Sequence, residues 1–98
     1  MVVFINVNLK EGIISPDQLQ ALIDAMPVDA GGQDGVVISG RLPVWAFSAL
    51  VHHFHPRPFV GTFDPRLGGG VVVATHTSDV KVGDVVNIDT AKRFDVDF

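Results

Sequence analysis

Three short stretches of this 98-residue chain carry side chains suited to holding phosphate and moving protons. The first is Ser39-Gly40-Arg41, which follows the apolar run Val36-Val37-Ile38 and comes shortly before Pro43. Between a strand's carboxyl end and a helix, free backbone N–H groups and the positive end of the helix dipole favour an anion. Gly40 lets the backbone approach a phosphate, Ser39 can donate a hydrogen bond, and Arg41 can neutralise charge. An ordinary strand-to-helix turn with a surface arginine explains the same residues, and three positions do not separate the two readings. The second stretch holds His52 and His55, three apart, which share a helix face while helical geometry lasts; His53 points elsewhere. Such a pair suits a divalent transition metal, or a base with an orienting partner. Imidazoles near a helix C-terminus also sit well in the dipole without doing any chemistry. The third stretch is Asp64-Pro65-Arg66, running into Leu67-Gly68-Gly69, with His76 after the next apolar run. In a hairpin Asp64 falls at the tip and His76 at the far end. One chain then unites them only through a shifted or parallel pairing, or the contact is made across subunits. Asp-Pro-Arg with glycines is equally good turn chemistry.

The elements that must position these residues can be read from periodicity. Val3, Ile5, Val7 and Leu9 alternate with Phe4, Asn6 and Asn8, which predicts a half-buried opening strand. Ser15-Pro16-Asp17-Gln18 reads as a helix start with a capping box, and Leu19, Leu22, Ile23 and Met26 make one apolar stripe ending at Pro27. Asp29–Gly35 is loop by composition. Val36-Val37-Ile38 is a short central strand, and Pro43 opens a second helix with the stripe Phe47, Leu50, Val51, Phe54, stopped by Pro56 and Pro58. Phe59–Phe63 and Gly70–Thr75 are two more strands. Lys81-Val82-Gly83-Asp84 turns into a strand over Val85–Asp89, and Phe94, Val96 and Phe98 alternate with Asp95 and Asp97 as a last edge strand. The order β-α-β-α-β-β-β predicts a small single-domain α/β sandwich over residues 1–98. Its mixed sheet carries two helices largely on one face and is distantly Rossmann-like or ferredoxin-like.

Composition narrows the function classes. With 47% hydrophobic and 18% charged residues the chain is not disordered, and no apolar run approaches the ~20 residues of a membrane span. Met1–Ile5 has neither a basic lead nor a cleavage-like site, so no signal peptide and a cytoplasmic location are expected. The absence of cysteine excludes disulfides, thiolate catalysis and cysteine-bound zinc. A net charge of −4 argues against general coating of DNA or RNA. From Val36 to Ser78, however, Arg41, Arg57 and Arg66 face Asp64 alone, and all four histidines lie there, so an anion pocket in an acidic protein is consistent with the pattern. Little charge in so small a chain suggests apolar surface hidden by another subunit.

Taken together, Gly35-Val36-Val37-Ile38-Ser39-Gly40-Arg41, His52 and His55, Pro58-Phe59-Val60, Asp64-Pro65-Arg66-Leu67-Gly68, Val71-Val72-Val73 and His76 resemble the third family of CRISPR-associated ring nucleases. These are small accessory proteins of type III systems. The resemblance is dense from Gly35 to His76 and continues weakly through Val82-Gly83-Asp84-Val85. It implies a phosphodiesterase that opens cyclic tetra-adenylate, associated with Mn2+, with an RNA 3′-end trimming activity also attributed to the family. It further implies dimers that stack into a tetramer with the ring between them. By this resemblance His55 holds the principal catalytic position, with Asp64 and His76 completing the active site and, together with His55, a metal set. Ser39, Gly40, Arg41, Arg66 and His52 fall on the ligand side. Two departures stand out: an added glycine at Gly69-Gly70, which would shift His76 relative to Asp64, and Pro56 in place of a polar residue. Some relatives fuse this module to a nucleotide-binding domain, and no phosphate-loop motif is present here.

Three functions fit these residues. The first is a metal-stimulated ring nuclease that switches off antiviral signalling, with either the ribose 2′-hydroxyl or water as attacker. The second is a module that binds cyclic oligoadenylate without cutting it. The third is a manganese-dependent exonuclease acting on RNA 3′ ends. The histidines favour an enzyme, because a pure sensor needs only the Ser-Gly-Arg and Arg66 half.

Overall fold

The structure is a computed structural model that describes residues 2–27 and 33–98. The elements run β1 (Val2–Asn8), a 3-10 turn (Pro16–Gln18), α1 (Leu19–Asp24), β2 (Gly35–Gly40), α2 (Val44–His53), β3 (Phe59–Asp64), β4 (Gly69–Thr75), β5 (Val85–Val86) and β6 (Lys92–Asp97). They form one six-stranded mixed sheet in the order β5-β4-β3-β2-β1-β6. β6, β1, β2 and β3 are mutually parallel, and β4 and β5 each run antiparallel to their inner neighbour. The α/β class with two helices is the expected one. Both crossovers step the same way along the sheet, so the right-handed rule for parallel connections places both helices on one face.

That face is the main core. Val3, Ile5 and Val7 of β1, Val36 and Ile38 of β2 and Val60 of β3 pack with Leu22, Met26, Ala46, Leu50 and Phe54 from the helical side. Leu22 and Leu50, both predicted stripe residues, are fully buried. Truncating either to alanine costs about 2–5 kcal/mol by analogy with other cores. The Ser15 N–H donates to Gln18 Oε1 at 3.0 Å, the backbone-directed half of the expected capping box. Part of the expected loop over Asp29–Gly35, residues 29–32, lies outside the described residues.

The other face is closed by curling of the sheet. Phe4 and Val37 are buried there, and the Phe4 and Phe63 rings meet edge to face with centroids 5.6 Å apart. A Cβ on Gly70 would stand 2.6 Å from a Val37 methyl, although β3 lies between their strands. In a flat sheet two strand spacings put about 9.6 Å between them. The contact therefore requires a strong coil around β3, and glycine at position 70 permits it. The same coil lets residues 87–91 carry the chain from β5 to β6 at the opposite edge. Five flat spacings span about 24 Å, more than the roughly 20–22 Å that six residue steps can reach.

One expectation is corrected in detail. The strand expected over Val85–Asp89 pairs only at Val85 and Val86, because Asn87 Oδ1 accepts the Asp89 N–H and the Ala91 N–H bonds back to Ile88 O, turning the chain away. At the hairpin, Gly69 pairs with Asp64 and Gly70 with Phe63 inside the ladder. β4 carries one unpaired residue, Val73, where the register shifts between Val60 and Gly61, so the ladder is offset by one residue between Asp64 and His76. Among the described residues no helix is long and apolar enough to cross a membrane.

Candidate functional site

At the carboxyl ends of β1, β2 and β3 lies a cleft of about 520 Å³, lined among others by Asn6, Asn8, Ser39, Arg41, Phe63 and Pro65. Its size falls in the range of small-molecule sites. The parallel register sets Asn6 beside Ser39 on the same face. Gly40 closes β2 at φ 146°, and a Cβ there would come within 2.6 Å of the Val7 carbonyl oxygen. Only glycine allows β1 and β2 to stay this close at the cleft floor. Arg41 is exposed, and its guanidinium has no ion-pair partner among the described residues. Ser39, Gly40 and Arg41 line the cleft, whereas the first turn of α2, the helix N-terminus that the sequence suggested beside them, does not.

The hairpin tip borders this cleft through Pro65. Asp64 Oδ1 accepts the Arg66 backbone N–H at 2.9 Å, and its carbonyl accepts the Leu67 and Gly68 N–H groups at 3.1 and 2.9 Å. Gly68 takes φ 69° to close the turn. The Arg66 guanidinium lies 3.5 Å from Asp64 Oδ2 and is 89% exposed. The Arg66 backbone N–H first, and then its side chain, hold the Asp64 carboxyl below the usual aspartate value. Asp64 is therefore a fixed anion that aims Arg66, and it is poorly suited to act as a general acid.

The histidines gather at the other end of the sheet. His52 and His55 stack with centroids 6.3 Å apart and planes 18° from parallel, because the turn continues past Phe54 with the His55 N–H on His52 O. The predicted shared face is thus present. His76 meets His55 edge to face at 5.1 Å, and its Nε2 lies 2.9 Å from the His55 carbonyl oxygen. A carbonyl only accepts, so His76 carries a proton on Nε2, which leaves Nδ1 free to accept a proton or ligate when the ring is neutral. The His76 backbone N–H is held by Pro58 O at 2.8 Å. His53 instead packs against Phe54, and Arg57 Nε donates to Asp34 O at 3.0 Å, a structural tie between the turn after α2 and the residue before β2.

The candidate residues thus fall into two sets. Ser39, Gly40, Arg41, Asp64 and Arg66 share one end of the sheet, and His52, His55 and His76 share the other. Five residue steps of β3 separate Asp64 from Phe59, about 17 Å at ~3.4 Å per residue. No group of three metal-ligating His, Cys, Asp or Glu side chains forms among the described residues, so His55, Asp64 and His76 do not make a metal site within one chain. Sequence reasoning passed over Asn6 and Asn8. The available signal was two carboxamides at alternate positions of a strand whose other face is wholly apolar.

The chain is 53% identical over 51 residues to a protein of Aquifex aeolicus (strain VF5) described as "Uncharacterized protein". The match takes in 52% of this chain and 46% of that protein, so it spans under half of the relative's length. The family model described as CRISPR-associated protein (Cas_csx3) matches residues 7–87, which hold both sets of candidate residues. The chain belongs to this family, the ring-nuclease family that its motifs resemble.

Proposed function

We propose that this member of the Cas_csx3 family binds and linearises cyclic tetra-adenylate, ending a type III CRISPR signal, with the ring held between stacked copies of the chain. The observation that carries this reading is the separation of a cleft rimmed by Arg41 from a histidine cluster by the length of β3. Stacked head to tail, the cleft of one copy faces the histidines of the next, and the two half-sites close on a ring that a single cleft cannot enclose. Arg41 and Arg66 stabilise phosphate charge, a term that grows as the stacked copies exclude water. An imidazole takes the proton from the attacking oxygen, either the ribose 2′-hydroxyl or water, and an imidazolium returns one to the leaving oxygen. One P–O bond forms and one breaks, so the ring opens without any redox partner. The ionised Asp64 keeps Arg66 in place during this step.

Manganese is the metal that the resemblance implies. A single chain does not fit it, because Asp64 stands a strand's length from His55 and His76. A manganese ion would have to sit where Asp64 of one copy meets the histidines of another, and no step above runs through it.

A binding module that does not cut is the second reading, favoured by one observation: a single copy already holds the complete cleft. The deciding experiment incubates the protein with cyclic tetra-adenylate and with linear oligoadenylate, each with and without Mn2+, and resolves products by chromatography. Ring opening supports the nuclease. Tight binding without products supports the module, and stepwise shortening of the linear strand supports an RNA 3′-end exonuclease.

A further inference from the structure

Asn6 and Asn8 lie two apart on one face of β1, at the cleft floor. Their carboxamides are held by a polar ladder from β6. Asn6 Nδ2 donates to Asn8 Oδ1 at 3.2 Å and to Asp95 Oδ1 at 3.4 Å, and Asn8 Nδ2 donates to Asp97 Oδ1 at 3.2 Å. Carboxylates only accept, so Asp95 and Asp97 fix which way both amides face. Asp95 is itself clamped by Arg93, through Nε at 3.2 and 3.3 Å and Nη2 at 3.1 Å. An amide nitrogen carries two hydrogens. Both of Asn6's are used, and its Oδ1 is an open acceptor among the described residues; Asn8 keeps one open N–H. The cleft thus offers an open acceptor on Asn6 and an open donor on Asn8, with Phe63 and Arg41 lining the same cleft.

We propose that Asn6 and Asn8 read the edge of a nucleobase in this cleft and select one with an exocyclic amino group beside a ring acceptor. This rests on the cyclic oligoadenylate reading above. An adenine gives its amino hydrogen to Asn6 Oδ1 and receives the Asn8 N–H on the adjacent ring nitrogen. Phe63 offers the base a stacking surface, which by itself does not distinguish bases. Hypoxanthine or guanine presents a carbonyl oxygen where the amino group should be, against the Asn6 oxygen, and both acceptors are left unpaired. Arg41 meets the phosphate and carries no base information. Asp95 and Asp97 are positioning residues, since they orient the amides without reaching the base.

The test compares binding of cyclic tetra-adenylate with cyclic tetra-inosinate, which differs only in that edge, by calorimetry. It uses the full chain carrying His55→Ala so that neither ring is consumed. The expected preference is about 5- to 150-fold per base read. Asn6→Ala and Asn8→Ala, each added to that background, should bring the two affinities toward parity while sparing the inosinate ring. Arg41→Ala should weaken both rings and keep their ratio. Asn8 is exposed, so its variant decides the matter even if Asn6→Ala does not fold, which circular dichroism reports. Equal binding of both rings, or a preference that survives Asn8→Ala, overturns the base-reading role and leaves the parent reading standing. Binding of neither ring overturns the parent reading and this role with it.

Discussion

Mixing two impaired variants, Asp64→Asn and His55→Ala, should restore opening of cyclic tetra-adenylate. Asp64 ends β3, while His76 is hydrogen-bonded to Pro58, the residue before β3 begins, and touches His55. The ends are about 17 Å apart along the strand, whereas groups that exchange a proton must come within about 2.6–3.2 Å. A functional junction must therefore draw its cleft half and its histidine half from different copies. Asparagine keeps an oxygen for the Arg66 N–H, so the hairpin tip stays folded in the first variant. The His55 variant should lose about 10²–10⁴-fold in rate as a proton-transferring group, and the Asp64 variant about ten- to a hundredfold, as Arg66 loses the carboxylate that holds it for the phosphate. With subunits exchanging freely, each junction of a head-to-tail assembly takes an intact cleft half half the time and an intact histidine half half the time. An equal mixture should then recover about one quarter of the wild-type rate. Chromatography of the linear product at constant total protein measures this, with native mass spectrometry of tagged copies confirming exchange. A mixture no faster than its components, once exchange is established, would refute the composite junction. Adding the double variant to wild type is the control and should lower the rate.

Arg41→Ala should weaken binding of cyclic tetra-adenylate about ten- to a hundredfold, the loss expected for a charge-assisted phosphate contact. Unchanged affinity by calorimetry would remove Arg41 from the ligand surface. Gly40→Ala forces a side chain into φ 146° and against the Val7 carbonyl, costing roughly 1–3 kcal/mol. At about 4–8 °C of melting temperature per kcal/mol the loss is easily seen, and an unchanged melt would contradict the geometry of the cleft floor. The Asp64 carboxyl is depressed chiefly by the Arg66 N–H, so the order it lends the hairpin tip is complete above the ordinary aspartate value near ~3.9. That order is lost only as pH falls through the lower folded-state value. Carboxyl-detected NMR with the Arg66 amide as second reporter should give a midpoint below ~3.9, and a midpoint at or above it would refute the Asp64–Arg66 clamp.

Local patterns made most elements legible. The stripes through Leu22 and Leu50, the alternation of β1, and the prolines that stop both helices each act within a few residues. What depends on distant partners was not. Phe94 and Val96 announced a strand, but nothing near them says that it runs parallel to β1, since that partner lies at the other end of the chain. The approach of Gly70 to Val37 is likewise invisible in sequence, because it follows from the coil of the whole sheet.

The site shows the same division. Hairpin logic alone placed Asp64 at the tip and His76 at the far end, and the ladder agrees. A three-residue spacing placed His52 and His55 together, and their rings stack. The helix N-terminus failed as a contributor to the cleft because a spacing says which residues precede a helix, not where its first turn points. Asn6 and Asn8 passed for solvent-facing polar residues until β6 came alongside and its carboxylates oriented their amides. β3 then has a role no motif expresses. It holds the cleft and the histidines a fixed ~17 Å apart, too far for one chain to use both on a single bond. With the two half-sites at opposite ends of β3, that spacing makes any reaction that needs both halves depend on assembly around the ligand. On the function proposed above, a lone copy would hold the cyclic tetra-adenylate ring without cutting it.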